Sequence, residues 1–113
     1  AEEQFSNAIE LTPDNATYWT GRAAACMQGE RYWDAVADLN EALKRDSKNA
    51  DTYVLRAQVW LKLDQPTKAQ LDARSALELD QKNELAWKIY EQTKKDKATD
   101  SKGQLDKLLD IVK

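Results

Sequence analysis

Histidine is absent from this chain, and cysteine, methionine and phenylalanine occur once each. Without histidine there is no imidazole base near neutral pH and no histidine-ligated metal. A single cysteine, Cys26, rules out an internal disulfide and fits a reducing compartment. Three glycines supply no glycine-rich phosphate loop. No run approaches the roughly 18 apolar residues that a membrane-spanning helix needs. An excess of positive charge is missing too. The formal net charge is −3 and the pI about 5, which disfavours nucleic acid and anionic membrane as partners. Residues 82–113 are mildly basic against the acidic remainder, which reads as a solvated face. Nowhere do apolar and polar residues alternate strictly, so no strand is predicted. At 113 residues the chain suits one modest domain and is small for an independent solenoid.

What the chain does have is a period. Ala1, Phe5, Ala8 and Ile9 recur 34 residues on as Ala35, Leu39, Ala42 and Leu43. They recur again at Ala69, Ala73, Ala76 and Leu77. Between these sets, Asn15-Ala-Thr-Tyr-Trp becomes Asn49-Ala-Asp-Thr-Tyr and then Asn83-Glu-Leu-Ala-Trp. A fixed period of this size marks stacked units, each burying its apolar face only against its neighbours. Such arrays seldom carry chemistry and usually present a concave binding surface.

Each unit reads as two helices. Trp19, Arg22, Ala23 and Cys26 stand at i, i+3, i+4 and i+7, one face of a helix, and Tyr53, Arg56, Ala57 and Trp60 repeat that face. Asn15, Asn49 and Asn83 precede these faces as candidate N-caps. The second helices carry Val36, Leu39, Ala42 and Leu43, then Leu71, Ala73, Ala76 and Leu77. Gly29 and Pro66 separate the paired helices, and Pro13 closes the first unit. Helices are predicted near 1–11, 16–28, 32–45, 50–63, 66–79 and 84–98, with short turns that set neighbours antiparallel. Ala8, Ala23, Ala42, Ala57 and Ala76 are expected where paired helices approach closely. Trp19, Tyr53 and Trp87 are expected to wedge against the unit before.

These residues resemble the tetratricopeptide (TPR) family. Its 34-residue unit pairs two helices around a Trp, small residues, large apolar residues, an Ala and a late Pro. The middle unit shows Trp19, Ala23, Cys26, Ala35, Leu39 and Ala42, with Ser47 in place of the proline. The next shows Tyr53, Ala57, Trp60, Ala69, Ala73 and Ala76, with Gln81 in place of it. Ala73 falls short of the usual bulk, and Trp60 is expected to take part of that space. The first unit supplies only Ala1, Phe5, Ala8 and Pro13. The resemblance implies an all-α solenoid of antiparallel helix pairs, a superhelix. Its divisions are a half repeat at 1–15, repeats at 16–49 and 50–83, and a capping helix at 84–98. Residues 99–113 are left as linker and short tail.

Several local expectations follow. With only half a first unit, the face of Phe5 and Ile9 is expected to be partly bare. Glu91 and Lys94 replace the Ala57 and Trp60 of the preceding unit, as suits the polar outer face of a cap. Leu105, Leu108, Leu109 and Val112 form a stripe on a helix too short to stand unpacked. Cys26 is expected to be a buried packing thiol. Asp34 and Asp38 read as surface carboxylates with no evident partner. Arg22 and Arg56 read as half-buried stems with solvated heads.

Nothing in the sequence supports catalysis, a metal or a cofactor. The resemblance implies a non-enzymatic scaffold whose first helices line a concave groove. The matching positions are Thr17, Thr20, Gly21, Ala24 and Met27 in the first of these helices. Asp51, Val54, Leu55, Gln58, Leu61 and Lys62 follow in the second, and Leu85, Lys88, Ile89 and Gln92 in the cap. The run Thr20-Gly-Arg-Ala-Ala-Ala-Cys is similar to the co-chaperone branch, which grips acidic C-terminal tails of Hsp70 and Hsp90 with Lys, Asn and Arg. At the clamp positions present in this chain stand Gly21, Asp51 and Leu55, and an acid facing a terminal carboxylate is repulsive. The implied partner is therefore a hydrophobic or amphipathic helix, or an extended peptide, of another protein. Two alternatives stay open. One is self-association or structural assembly through residues 104–113 or the open first helix. The other is a chaperone-tail adaptor, if upstream residues complete a clamp. The expected location is cytoplasmic.

Overall fold

The computed structural model describes residues 2–98, and the predicted tail stripe at 105–112 lies outside them. Six helices follow in order: α1 (Glu2–Leu11), α2 (Ala16–Gln28), α3 (Tyr32–Arg45), α4 (Ala50–Lys62), α5 (Pro66–Leu79) and α6 (Glu84–Ala98). Their starts obey side-chain capping. The Asn15 carboxamide oxygen accepts from the Thr17 amide at 3.0 Å, and Asn49 does the same for Asp51. Asn83 accepts from the Ala86 amide at 3.0 Å. Each bond satisfies an amide that the helix itself cannot. Pro66 opens α5, where a missing amide hydrogen costs nothing.

The helix ends also repeat. Beyond α2 and α4 the chain reverses through Glu30 (φ 62°) and Asp64 (φ 58°), residues in the left-handed region. Gly29, which glycine chemistry would favour for that role, has φ −85°. Beyond α3 and α5, Asp46 and Asp80 are extended, and their carboxylates accept from the Lys48 and Lys82 amides at 3.0 and 3.1 Å. The two connections Asp46-Ser-Lys-Asn49 and Asp80-Gln-Lys-Asn83 are therefore the same turn.

Consecutive helices pack against each other along the chain, and α2, α4 and α6 also touch in succession. Helices α1, α3 and α5 do not touch one another. The layer of first helices is thus the inner, concave one. The small residues sit where the pairs close: Ala23, Ala35, Ala42, Ala57, Ala69 and Ala76 are all fully buried. Leu39 is sealed between units, a burial that contributes about 1.5–3 kcal/mol. Cys26 is buried as expected. Ala73 is enclosed, and Trp60 lies in the same core cluster with its ring edge-on to Trp33 at 5.9 Å.

The structure corrects several expectations. Asp38 is buried, not a surface carboxylate, and takes two hydrogen bonds from Arg22, at 2.9 and 2.7 Å. Arg22 Nη1 also reaches Ser6 Oγ at 3.2 Å. Arg56 repeats this with Asp72 (2.7 and 2.8 Å) and Asn40 (2.7 Å). The arginine heads are therefore engaged rather than solvated, because each guanidinium is planar and can bind a carboxylate with two parallel bonds. Asp34 lies 3.7 Å from Arg31. Of the face expected to be partly bare, Ile9 is buried because α2 closes over it, whereas Phe5 stays half-exposed. Leu71 is 56% exposed, because it stands at the place of the exposed Ala37 rather than on the buried stripe. Trp87 is 44% exposed. Its indole N–H donates to the Gln81 carbonyl at 2.7 Å, but the ring is only partly wedged.

Candidate functional site

Of the positions expected on the concave face, Thr17, Asp51, Lys62, Leu85, Lys88 and Gln92 are exposed. Thr20, Gly21, Ala24, Met27, Leu55, Gln58 and Leu61 are half-buried. Val54 and Ile89 do not belong to the surface. They are 4% and 3% exposed and lie in the main core cluster. The reason is positional. Helix α4 is flanked by α2, α3, α5 and α6, and α6 packs on both α4 and α5, so these two side chains meet neighbouring helices.

At one end of this layer lies a cleft of about 340 Å³. Thr17, Thr20, Gly21 and Ala24 of α2 form one wall and Phe5 of α1 another. Asp46 and Asn49 approach from the turn that follows α3, and Thr52 from α4 of the next unit. Gly21 packs directly against the Phe5 ring. A Cβ at this position would overlap the ring edge, so a larger residue would require the Phe5 side chain to shift. The Thr20 hydroxyl donates to the Ala16 carbonyl at 3.1 Å. Asp46 and Asn49 also line a second depression of about 450 Å³, with Lys48, Ala50, Asp51, Leu79 and Asp80. The two depressions are therefore neighbours along the edge formed by the turns between units. A third, of about 440 Å³, lies between α5 and α6 at Arg74, Leu77, Glu78, Gln81, Trp87 and Tyr90.

Sequence reasoning marked Phe5 as part of an open apolar face but missed Asp46, Asn49, Thr52 and Asp80 as lining residues. The signal was present: Asp46 and Asp80 share a repeat position, as do Asn49 and Asn83. Those positions lie in turns, outside the helical faces that periodicity reads.

Charge at the core contact is well organised. The Asp38 hydrogen bond raises the Arg22 guanidinium above its ordinary value, so the guanidinium stays charged. Burial raises the Cys26 thiol, and the Asp38 and Asp34 charges add to this against Arg22. A thiol held protonated is a poor nucleophile. On the surface, hydrogen bonds from Arg45 and Lys44 lower Glu41. Among the described residues no three histidine, cysteine, aspartate or glutamate side chains converge as a metal site.

The family model described as "Coatomer epsilon subunit" matches residues 3–101. Tetratricopeptide repeat protein 16 of Macaca fascicularis is 36% identical over 80 residues, 70% of this chain and 9% of that protein. The chain thus spans under a tenth of that relative's length. Among solved structures, the Arabidopsis OM64 TPR domain aligns with a TM-score of 0.81 and 32% identity, covering 84% of this chain and 78% of that one. The first TPR of Spaghetti (RPAP3), bound to an HSP90 peptide, aligns with a TM-score of 0.84 and 21% identity over 87% and 78% of the two chains. The latter likeness concerns the fold.

Proposed function

Because this chain belongs to the tetratricopeptide-repeat family and matches the TPR-like coatomer epsilon subunit family, we propose that it is a non-enzymatic adaptor that binds a segment of a partner protein on its concave face. The observation that carries this reading is the inner layer of α2, α4 and α6, which meets solvent with a mixed row of small, apolar and charged side chains beside two adjoining depressions. Solved neighbours with the same fold hold peptides, as the HSP90-peptide complex of the Spaghetti domain illustrates. Gly21, Asp51 and Leu55 carry no positive charge, so the partner differs from an acidic carboxyl-terminal tail. A cytoplasmic setting suits an adaptor of this kind. Among the described residues no helix is long and apolar enough to cross a membrane.

The test is capture of partners by the full-length protein, read by mass spectrometry, against Gln58→Arg and Leu85→Glu on the concave layer and Ala37→Glu on the outer layer. The concave variants are expected to lose the captured partner and the outer one to keep it, all three with unchanged helicity. Loss confined to Ala37→Glu moves the site to the outer face. The coatomer epsilon match favours a second reading, a fixed docking face within a multi-subunit assembly. Under it, the captured partner co-purifies at fixed stoichiometry through gel filtration.

A further inference from the structure

The concave face is not uniform, and its turn-side edge has a specific chemistry. The 340 Å³ cleft has an apolar floor of Phe5, Gly21 and Ala24. Thr52 lines the same cleft. It is 3% exposed, and its hydroxyl makes no hydrogen bond among the described residues. Every fully enclosed side-chain nitrogen or oxygen described is bonded, so this hydroxyl opens into the cleft. A hydroxyl that opens into a cleft can exchange water for a backbone group of a ligand.

The adjoining depression shares Asp46 and Asn49 with the cleft and bears three exposed carboxylates, Asp46, Asp51 and Asp80, against one cation, Lys48. One oxygen of Asp46 is used by the Lys48 amide and one of Asp80 by the Lys82 amide. Asp51 takes a 3.3 Å bond from the Asn83 side chain. Each carboxylate keeps a second oxygen for a ligand. An apolar cleft lined by one hydroxyl therefore runs into a carboxylate-rich depression.

Resting on the adaptor reading, we propose that this edge holds an extended basic segment of the partner. One apolar side chain enters the cleft over Phe5 and Gly21, with the Thr52 hydroxyl paired to the segment's backbone. The Lys or Arg side chains that follow it pair with Asp46, Asp51 and Asp80. Charge-assisted hydrogen bonds of this type are strong, and charge complementarity selects partners and speeds encounter. An acidic segment meets like charge and is rejected.

The experiment has two arms, both on the full chain. In the first, an acetylated and amidated octapeptide with one leucine followed by three lysines is titrated by fluorescence anisotropy, beside its glutamate counterpart. The lysine peptide is expected to bind more tightly. Asp46→Asn with Asp80→Asn keeps the turn-forming oxygens and should weaken it about three- to tenfold, the loss of two exposed charge pairs. Thr52→Val should weaken it without altering its salt dependence. Tighter binding of the glutamate peptide, or no change in the double variant, overturns the proposal. In the second arm, a random peptide library displayed on phage is selected against the chain. Enrichment of apolar-basic sequences supports the proposal. Enrichment of acidic or uncharged sequences overturns it and leaves the adaptor reading standing. No enrichment, together with no captured partner in the pull-down, sinks both.

Discussion

Arg22 and Asp38, sixteen residues apart, bind through two hydrogen bonds of 2.9 and 2.7 Å, and Arg56 and Asp72 repeat the pair one unit later. With Ser6 and Asn40 on the preceding second helices, each arginine joins three consecutive helices. Stacked units touch only their neighbours, so ties of this kind set how rigidly one unit holds the next.

The pair makes the first prediction. Asp38 keeps 8% of its side chain exposed and Arg22 25%, so neither charge is easily rehydrated if its partner goes. Asp38→Leu alone should cost about 2–3 kcal/mol, below the ~3–5 kcal/mol of fully enclosed pairs because Arg22 retains contact with water. The double variant Arg22→Met, Asp38→Leu should recover most of this. Urea midpoints of the parent, Arg22→Met, Asp38→Leu and the double variant give the coupling, and an unchanged midpoint for Asp38→Leu shows the tie to be energetically idle.

Ala42 tests the register of the repeat. It is fully buried where α3 closes on its neighbours. Ala42→Trp should overpack that contact by at least ~1–3 kcal/mol and lower the melting temperature by several degrees. A melting curve superimposable on the parent's contradicts the packing described.

Glu30 and Asp64 hold left-handed backbone that side chains disfavour. Glu30→Gly and Asp64→Gly should each stabilise by ~0.5–1 kcal/mol, since glycine adopts that region without strain. Gly29→Ala should be close to neutral, because its φ is −85° and an added Cβ meets only ordinary contacts at 3.7 Å. Thermal unfolding of the three variants distinguishes the two positions.

Cys26 supplies a pH dependence. Burial raises its thiol above the ordinary value of ~8.5, so the native state holds the proton more tightly than the unfolded chain. Its contribution to stability is complete below ~8.5 and is lost as pH rises from there through the folded value. The difference in stability between the parent and Cys26→Ala should therefore move against the parent from pH 8 to 10. In the folded protein the thiol should also react slowly with a disulfide reagent at pH 8. Rapid, stoichiometric labelling without unfolding would be incompatible with this environment.

Val54 and Leu85 separate fold from binding surface. Val54→Glu places an uncompensated charge in the core and should unfold or strongly destabilise the chain. Leu85 is 41% exposed, and Leu85→Glu should leave the circular dichroism and midpoint within ~0.5 kcal/mol of the parent. If the two variants behave alike, the division between core and concave face drawn at α4 and α6 is wrong.

The sequence by itself determined the helices, their phase and their pairing. Apolar spacing of 3.6 within each helix and 34 between units needs no tertiary information, and the asparagine caps and Pro66 mark boundaries through local hydrogen bonding. Single-helix periodicity could not say which face of α4 meets solvent. Val54 and Ile89 look surface-like in register, yet they are buried, because an inner helix is covered by helices on several sides. Nor could it pair Arg22 with Asp38, since their meeting depends on the antiparallel approach of α2 and α3. The acidic edge at Asp46, Asp51 and Asp80 was likewise decided only in three dimensions. Residues distant in the chain become neighbours there because identical turns stack at the same end of successive units.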